Sequence, residues 1–271
     1  MKRNGYSLLL IGLLLLAGLA IAITILNPKV EADTTAVEAA NQLYVAGHYA
    51  EAAQIYEEQI ARGVQDSAVF YNLGNVYFQQ GDLGRAVLNL ERAAQLNPRD
   101  GDIEANLALV RAQTTELFAE EAAGPLMTLA QITNELTENE TAVLVLGIWF
   151  LLGFLLVVRQ QAQSDRVKKM VQYAAALVLI LLLLSGASLA SRTFLEQTQP
   201  SGVVVSPSVA ISSEPGVEFA TEYSLSSGTA VNLVEQQGNW IRLDTPTGAD
   251  DSWVPAEAVE PVAATLSPSI S

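Results

Sequence analysis

The chain of 271 residues has no cysteine and a single histidine, His48. The first absence excludes disulfide staples, thiolate metal sites, cysteine nucleophiles and a lipid-acylated N-terminal cysteine. The second excludes His-rich metal centres. Basic residues are scarce as well, 14 Lys and Arg against 29 Asp and Glu, for a net charge of −15. That balance excludes the basic surface of a nucleic-acid binder. There is no phosphate-cradling glycine loop, no metal-ligand spacing and no nucleophile–base pair, so no catalytic residue is assigned and no cofactor or metal is expected.

What the chain has is apolar length. Two charge-free runs, residues 141–158 and 171–190, each approach the roughly 20 residues that a helix needs to cross a bilayer core. Between them lie Arg159, Arg166, Lys168 and Lys169, opposed only by Asp165. Short loops rich in Lys and Arg stay on the cytoplasmic side. The expectation is a transmembrane hairpin over 141–190 with a cytoplasmic loop at 159–170. At the N-terminus Lys2 and Arg3 precede an apolar run from residue 7 to residue 26, read over 1–32 as a membrane anchor or a signal peptide. The run is longer than the roughly 7–15 residues of a signal core, which favours an anchor. Small residues around 30–32 favour cleavage. Either way residue 33 onward lies outside.

Charge is partitioned accordingly. Residues 33–140 hold seventeen acids and five Arg, and residues 192–271 hold ten acids and two Arg. Lys2, Arg3, Arg159, Arg166, Lys168 and Lys169 are the topology-determining residues. The chain is expected in a bacterial plasma membrane, multi-pass, with both acidic regions extracytoplasmic.

Residues 33–118 carry an internal period of 34: Gly47 aligns with Gly81, Ala52 with Ala86 and Tyr56 with Leu90. The fuller second copy has Phe70, Leu73, Gly74 and Tyr77, then Ala86, Leu90 and Ala93, then Pro98. The first copy has Ala36, Ala39, Ala40 and Leu43, with Gln65 in place of the closing Pro. A period of 34 built from two helices resembles the tetratricopeptide repeat. Gly74 and Ala86 are expected where paired helices approach most closely, Gly81 in the turn, and Pro98 past the end of a helix. A third start at Gly101, with Leu107 and Ala108, reads as a capping helix to about Leu117.

In such repeats the first helix of each pair lines a groove, here Asn41, Tyr44, Tyr71, Asn75 and Phe78. Family members that clamp a C-terminal carboxylate have Asn at the positions of Asn41 and Asn75, helped by Lys or Arg. This chain has Val37, Val45, Tyr71 and Gln79 where bases would help. The resemblance therefore implies a groove for a partner protein segment, not a carboxylate clamp. Packing between repeats explains Tyr44, Tyr71 and Phe78 equally well. His48 falls in a turn and reads as a solvated residue. Over 119–140, Gly124-Pro125 breaks the chain and Leu126, Leu129, Ile132 and Leu136 recur at helical spacing. That linker is amphipathic, lying on the bilayer surface or packing on the repeats.

Residues 200–261 change to short apolar runs at 203–205, 209–211, 230–234, 240–243 and 253–254, separated by turn-rich stretches. About five short strands fit a small, partly open all-β barrel. Ser213-Glu214-Pro215-Gly216, Gly228, Gly238-Asn239-Trp240-Ile241-Arg242-Leu243 and Trp253-Val254-Pro255 resemble a bacterial SH3 domain, although Ser212 or Ser213 stands where Arg is common and Ser252 where Gly is usual. Trp240 and Trp253 read as packing residues. The tail 262–271 is expected to be disordered.

The fold class expected is thus multidomain: an all-α tetratricopeptide repeat, transmembrane helices and a small all-β SH3-like barrel. That order resembles the BatE-type proteins of the Bacteroides aerotolerance group. The resemblance implies a cell-envelope scaffold, without catalysis, whose partners are other membrane or envelope proteins, some with von Willebrand A domains, together with a MoxR-type ATPase and membrane lipid. The alternative is an envelope anchor or sensor that binds peptidoglycan through the SH3-like domain.

Overall fold

The computed structural model of the chain describes residues 30–114, 138–198, 200–216, 220–244 and 252–263. Residues 1–29 with Lys2 and Arg3, the apolar stripe of the linker, and residues 264–271 lie outside the described residues, whereas Val262, expected in a disordered tail, is buried in the core. The described residues fall into two compact units, one holding the helical repeats and the C-terminal sheet, the other two long apolar helices.

In the first unit, α1 (Thr34–Val45), α2 (Tyr49–Ala61), α3 (Ser67–Gln80), α4 (Leu83–Leu96) and α5 (Gly101–Arg111) follow one another as antiparallel pairs and a last single helix. Aspartate starts four of the five. Asp33, Asp66, Asp82 and Asp100 each accept a hydrogen bond from a backbone amide in the first turn of their helix. A carboxylate there satisfies an orphan N–H and faces the positive end of the helix dipole. Part of the acidity of this region is therefore helix capping. Gly47 and Gly81, 34 residues apart, take φ of +81° and +80° in the turns inside the pairs, a conformation open chiefly to glycine.

The close approach of α3 and α4 sits at the expected residues. A Cβ added to Gly74 would lie 2.8 Å from Leu90 Cγ and 3.3 Å from the Ala86 carbonyl oxygen. Tyr56, Ala86, Leu90 and Ala93 are fully buried. The α4 helix stops at Leu96, with Asn97 outside the α region (φ −141°, ψ 76°) before Pro98. The α5 helix ends at Arg111, short of the expected Leu117, and the chain is described only to Thr114.

The sheet has seven strands: β1 (Ser201–Val204), β2 (Ser208–Ser212), β3 (Ala220–Ser226), β4 (Ala230–Gln237), β5 (Trp240–Asp244), β6 (Ser252–Pro255) and β7 (Val259–Pro261). Their order is β3-β2-β6-β5-β4-β1-β7, antiparallel throughout. Five of them match the expected apolar runs. The additional two are β3, largely polar, and β7, three residues ending in Pro261. Among the described residues no ladder joins β3 to β7, so the sheet is open at that edge and no closed barrel forms. Its core is Val204, Val209, Ile211, Leu225, Val231, Leu233, Ile241, Leu243, Val254 and Val259.

Repeats and sheet pack on each other through α4. Ala86, Leu90 and Ala93 face the repeat, while Gly84, Val87 and Arg92 recur on the face toward the sheet. A Cβ on Gly84 would meet Ser227 Oγ at 2.5 Å and the Val204 carbonyl oxygen at 2.6 Å. Val203 and Val262 belong to the same core cluster as Val87 and Leu88. Side chains alternate across a strand. Val203 therefore serves the helices and Val204 the sheet, and both are 0% exposed. Arg92 donates from Nε to the Val262 carbonyl at 3.1 Å and from Nη2 to the Pro261 carbonyl at 2.7 Å. Its guanidinium lies 5.9 Å from the Phe70 ring centroid.

The second unit is α6 (Glu138–Gln161) and α7 (Asp165–Thr198). Both are long and apolar enough, by length and composition, to cross a membrane, over Val143–Gln161 and Asp165–Ser185. Phe150, Phe154, Leu177, Leu183 and Leu184 are exposed on them. The helices reach further than the apolar runs. Arg159 lies in the last turn of α6, Arg166, Lys168 and Lys169 lie at the start of α7, and only 162–164 joins the two.

Candidate partner-binding surface

Residues three, four and seven apart share one face of a helix. That rule places Asn41 with Tyr44 on α1, and Tyr71 with Asn75 and Phe78 on α3. The structure keeps Asn41 exposed and half-buries Tyr44, Tyr71, Asn75 and Phe78. Tyr44, Tyr71 and Phe78 pack against the repeat core, and the Tyr44 ring lies 5.5 Å from that of Tyr49, tilted by 59°. The aromatic residues thus stand partly in the packing between helices.

The asparagines are tied into a ladder. Asn41 Oδ1 accepts from Asn72 Nδ2 at 3.2 Å and from the Tyr56 hydroxyl at 2.6 Å. Asn75 Oδ1 accepts from Asn106 Nδ2 at 2.8 Å, and Asn106 Nδ2 also donates to the Tyr71 hydroxyl at 2.9 Å. Adding 34 to 41 and 72 gives 75 and 106, so one rung occurs twice with the same donor and acceptor. Asn72 and Asn106 were not singled out in the sequence, although the spacing that aligned Asn41 with Asn75 aligns them equally. Each rung occupies the side-chain oxygen of the leading asparagine. Among the described residues no hydrogen bond from the Nδ2 groups of Asn41 and Asn75 is seen, and these amides are donors that suit a carbonyl.

The surface carries little charge of its own. Val45 is exposed, Val37 half-buried and Gln79 exposed, so no base stands at these positions. Burial pushes the Tyr56 phenol up to about 12. Burial first, then the hydrogen bond it donates to Glu57, holds the Tyr77 phenol well above its usual range. Both hydroxyls are therefore neutral donors at physiological pH. Glu91 and Arg111 pair at 2.8 Å. Burial raises the Glu91 carboxyl, and Arg111 opposes that shift. His48 is exposed at the start of α2, makes no capping hydrogen bond, and lies 3.4 Å from Glu51.

The sheet bears an open cavity of ≈ 580 Å³ lined by Ser213, Glu214, Pro215, Gln237 and Trp253. Trp253 is buried and Trp240 half-buried, as expected of packing residues. Among the described residues no group of three or more His, Asp or Glu could hold a metal ion.

A comparison with curated proteins finds no match for the chain. Residues 67–100, which span α3, α4 and the turn that closes them, match the family model of the tetratricopeptide repeat, a module of protein–protein interaction that is typically non-catalytic.

Proposed function

We propose that this chain is a membrane-anchored scaffold whose first-helix surface, Asn41, Tyr44, Tyr71, Asn75 and Phe78, holds an extended segment of a partner protein. The observation that carries this reading is the repeated asparagine rung. It presents amide donors at a fixed interval on the helices that line the groove in tetratricopeptide repeats. Such donors suit the carbonyls of an extended peptide, and the lack of bases at neighbouring positions disfavours a terminal carboxylate.

The anchor is the α6–α7 pair, with Arg159, Arg166, Lys168 and Lys169 at the cytoplasmic tip and both other regions on the extracytoplasmic side. Two features support it: apolar side chains exposed along both helices, and the packing of 30–114 on 200–263. Regions that share a core lie on one side of a membrane, so the segment between them crosses an even number of times. The resemblance to BatE-type proteins suggests partners in an aerotolerance-type envelope complex, some with von Willebrand A domains. The cavity at Ser213, Glu214, Pro215, Gln237 and Trp253 favours a second reading, in which the sheet binds peptidoglycan peptides.

The test is quantitative pull-down from envelope extracts with the full chain and with its Asn75→Ala variant. Losing the rung and the external donor is expected to weaken the partner by roughly 1–3 kcal/mol. Equal capture by the folded variant would remove the groove, and capture lost only on Trp253→Ala would move the contact to the sheet. Reporters fused after Glu140 and Ser201 are expected to read exterior and one near Gln163 cytoplasmic. A cytoplasmic Ser201 reporter would refute the hairpin.

A further inference from the structure

We propose that the C-terminal sheet is the closing element of the repeat array, so that the repeat helices reach their stable form only when β7 is seated on Arg92. This rests on the packing inside the first unit and is independent of what the repeat surface binds.

The array is short. Two helix pairs and α5 fall below the three repeats that such stacks usually need to bury a continuous core. The deficit is met on the side of α4 that its own repeat does not use. There Gly84 admits the Val204 carbonyl and Ser227 at distances that leave no room for a Cβ, and the Gly228 backbone comes against Thr114 and Val87. Val203 from β1 and Val262 from just past β7 complete the helical core. Val87 and Leu88 are buried in the core cluster that Val203 and Val262 join.

Arg92 makes the arrangement conditional. Both of its carbonyl partners, Pro261 and Val262, come from the last described strand and the residue after it. Glu260 adds a carboxylate 3.8 Å away. Without β7 the guanidinium stays beside Phe70 with neither carbonyl, and a buried charge stripped of its partners is strongly destabilising. The carbonyls gain equally. Pro261 sits on an edge strand, where proline is tolerated and outward carbonyls lack a ladder partner. The repeat helices therefore depend on a strand that follows them in sequence with α6 and α7 between.

The experiment is hydrogen exchange followed by mass spectrometry on the full chain in nanodiscs, reading peptides from α4, the sheet and α7. Three variants perturb the sheet side: truncation after Ala258, Arg92→Met, and Leu225→Ala, whose side chain lies in the sheet's own core. In each, α4 is expected to exchange about tenfold faster or more, in step with the sheet and with α7 unchanged, as one cooperative unit opens. Arg92→Lys keeps the charge near Glu260 but loses the two-carbonyl fork, and is expected to match Arg92→Met. Unchanged α4 protection in the truncated chain, or sheet exchange that rises alone in Leu225→Ala, would overturn the proposal. So would full rescue by Arg92→Lys. If the truncated chain does not accumulate, the three point variants decide by the same criteria.

Discussion

Replacing Gly74 by Ala tests the packing of α3 on α4 with one methyl group. The new Cβ would lie 2.8 Å from Leu90 Cγ and 3.2 Å from Leu90 Cδ2. Carbon atoms rest at about 3.5–4.0 Å, so the two helices must part or Leu90 must leave its rotamer. Leu90 is fully buried, and its Cγ moves only with the whole side chain. Overpacking of this kind costs about 1–3 kcal/mol. Against it stands the gain of about 0.8–1.0 kcal/mol from replacing Gly by Ala inside a helix. The net expectation is a destabilisation of about 0–2 kcal/mol. Leu90→Ala alone should cost about 2–5 kcal/mol through the cavity it leaves. In that background Gly74→Ala meets only the Ala86 carbonyl oxygen at 3.3 Å, keeps its helix-propensity gain, and should stabilise by up to about 1 kcal/mol. The assay is the opening free energy of α3 and α4 by native-state hydrogen exchange in the full chain, for the wild type, both single variants and the double variant. The difference between the two backgrounds corresponds to a coupling of about 1–3 kcal/mol, beyond the roughly 0.3–0.5 kcal/mol scatter of independent sites. If Gly74→Ala shifts stability by the same amount in both backgrounds, the contact with Leu90 is not what holds glycine at this position.

Other expectations follow from the caps and the buried pair. His48→Ala should alter stability by less than about 0.5 kcal/mol, because the ring is exposed and caps nothing. His48→Asp should stabilise α2 by about 0.5–1 kcal/mol, less than a full cap because Glu51 is close by, and thermal denaturation of the two variants checks both. Glu91 has its folded carboxyl raised by burial, so the folded state holds that proton more tightly than the unfolded one. Its contribution to stability is present below the ordinary carboxylate range and is lost as pH rises through the raised value. Glu91→Gln should therefore gain on the wild type between pH 4 and pH 7, read as the difference in denaturation midpoint at the two pH values.

The repeat was legible because its constraints are local. Gly47 and Gly81 mark turns, Gly74 and Ala86 mark a close approach, and Pro98 marks an end, each through a steric rule that needs no knowledge of the rest of the chain. The five apolar strands were legible for the same reason. The β3 strand was not, since Tyr223 and Ser224 are exposed and Leu225 alone among its described side chains is buried. Nor was β7, where three residues ending in proline carry no period. The docking of the sheet on α4 is tertiary, yet it left a trace. Val203-Val204-Val205 runs without alternation, the pattern of a strand buried on both faces, and Gly84, Val87 and Leu88 fall outside the positions that the repeat itself requires. At the candidate surface the two leading asparagines were found by repeat position and their donors were missed. A hydrogen bond between side chains 31 residues apart has no local signature until the period is applied to every residue in the repeat.

The asparagine ladder also records how such a chain is able to grow. Its rungs join residues fixed by the repeat length, and each helix turns by about 100° per residue. One residue gained or lost inside α3 would swing Asn75 away from Asn106 while leaving Asn72 or Asn41 where it was, so the ladder breaks at the lesion. A duplicated block of 34 residues brings its own leading asparagine and its own donor, and adds a rung to those already present. Lengthening by whole units is silent to this network and lengthening by any other amount is not.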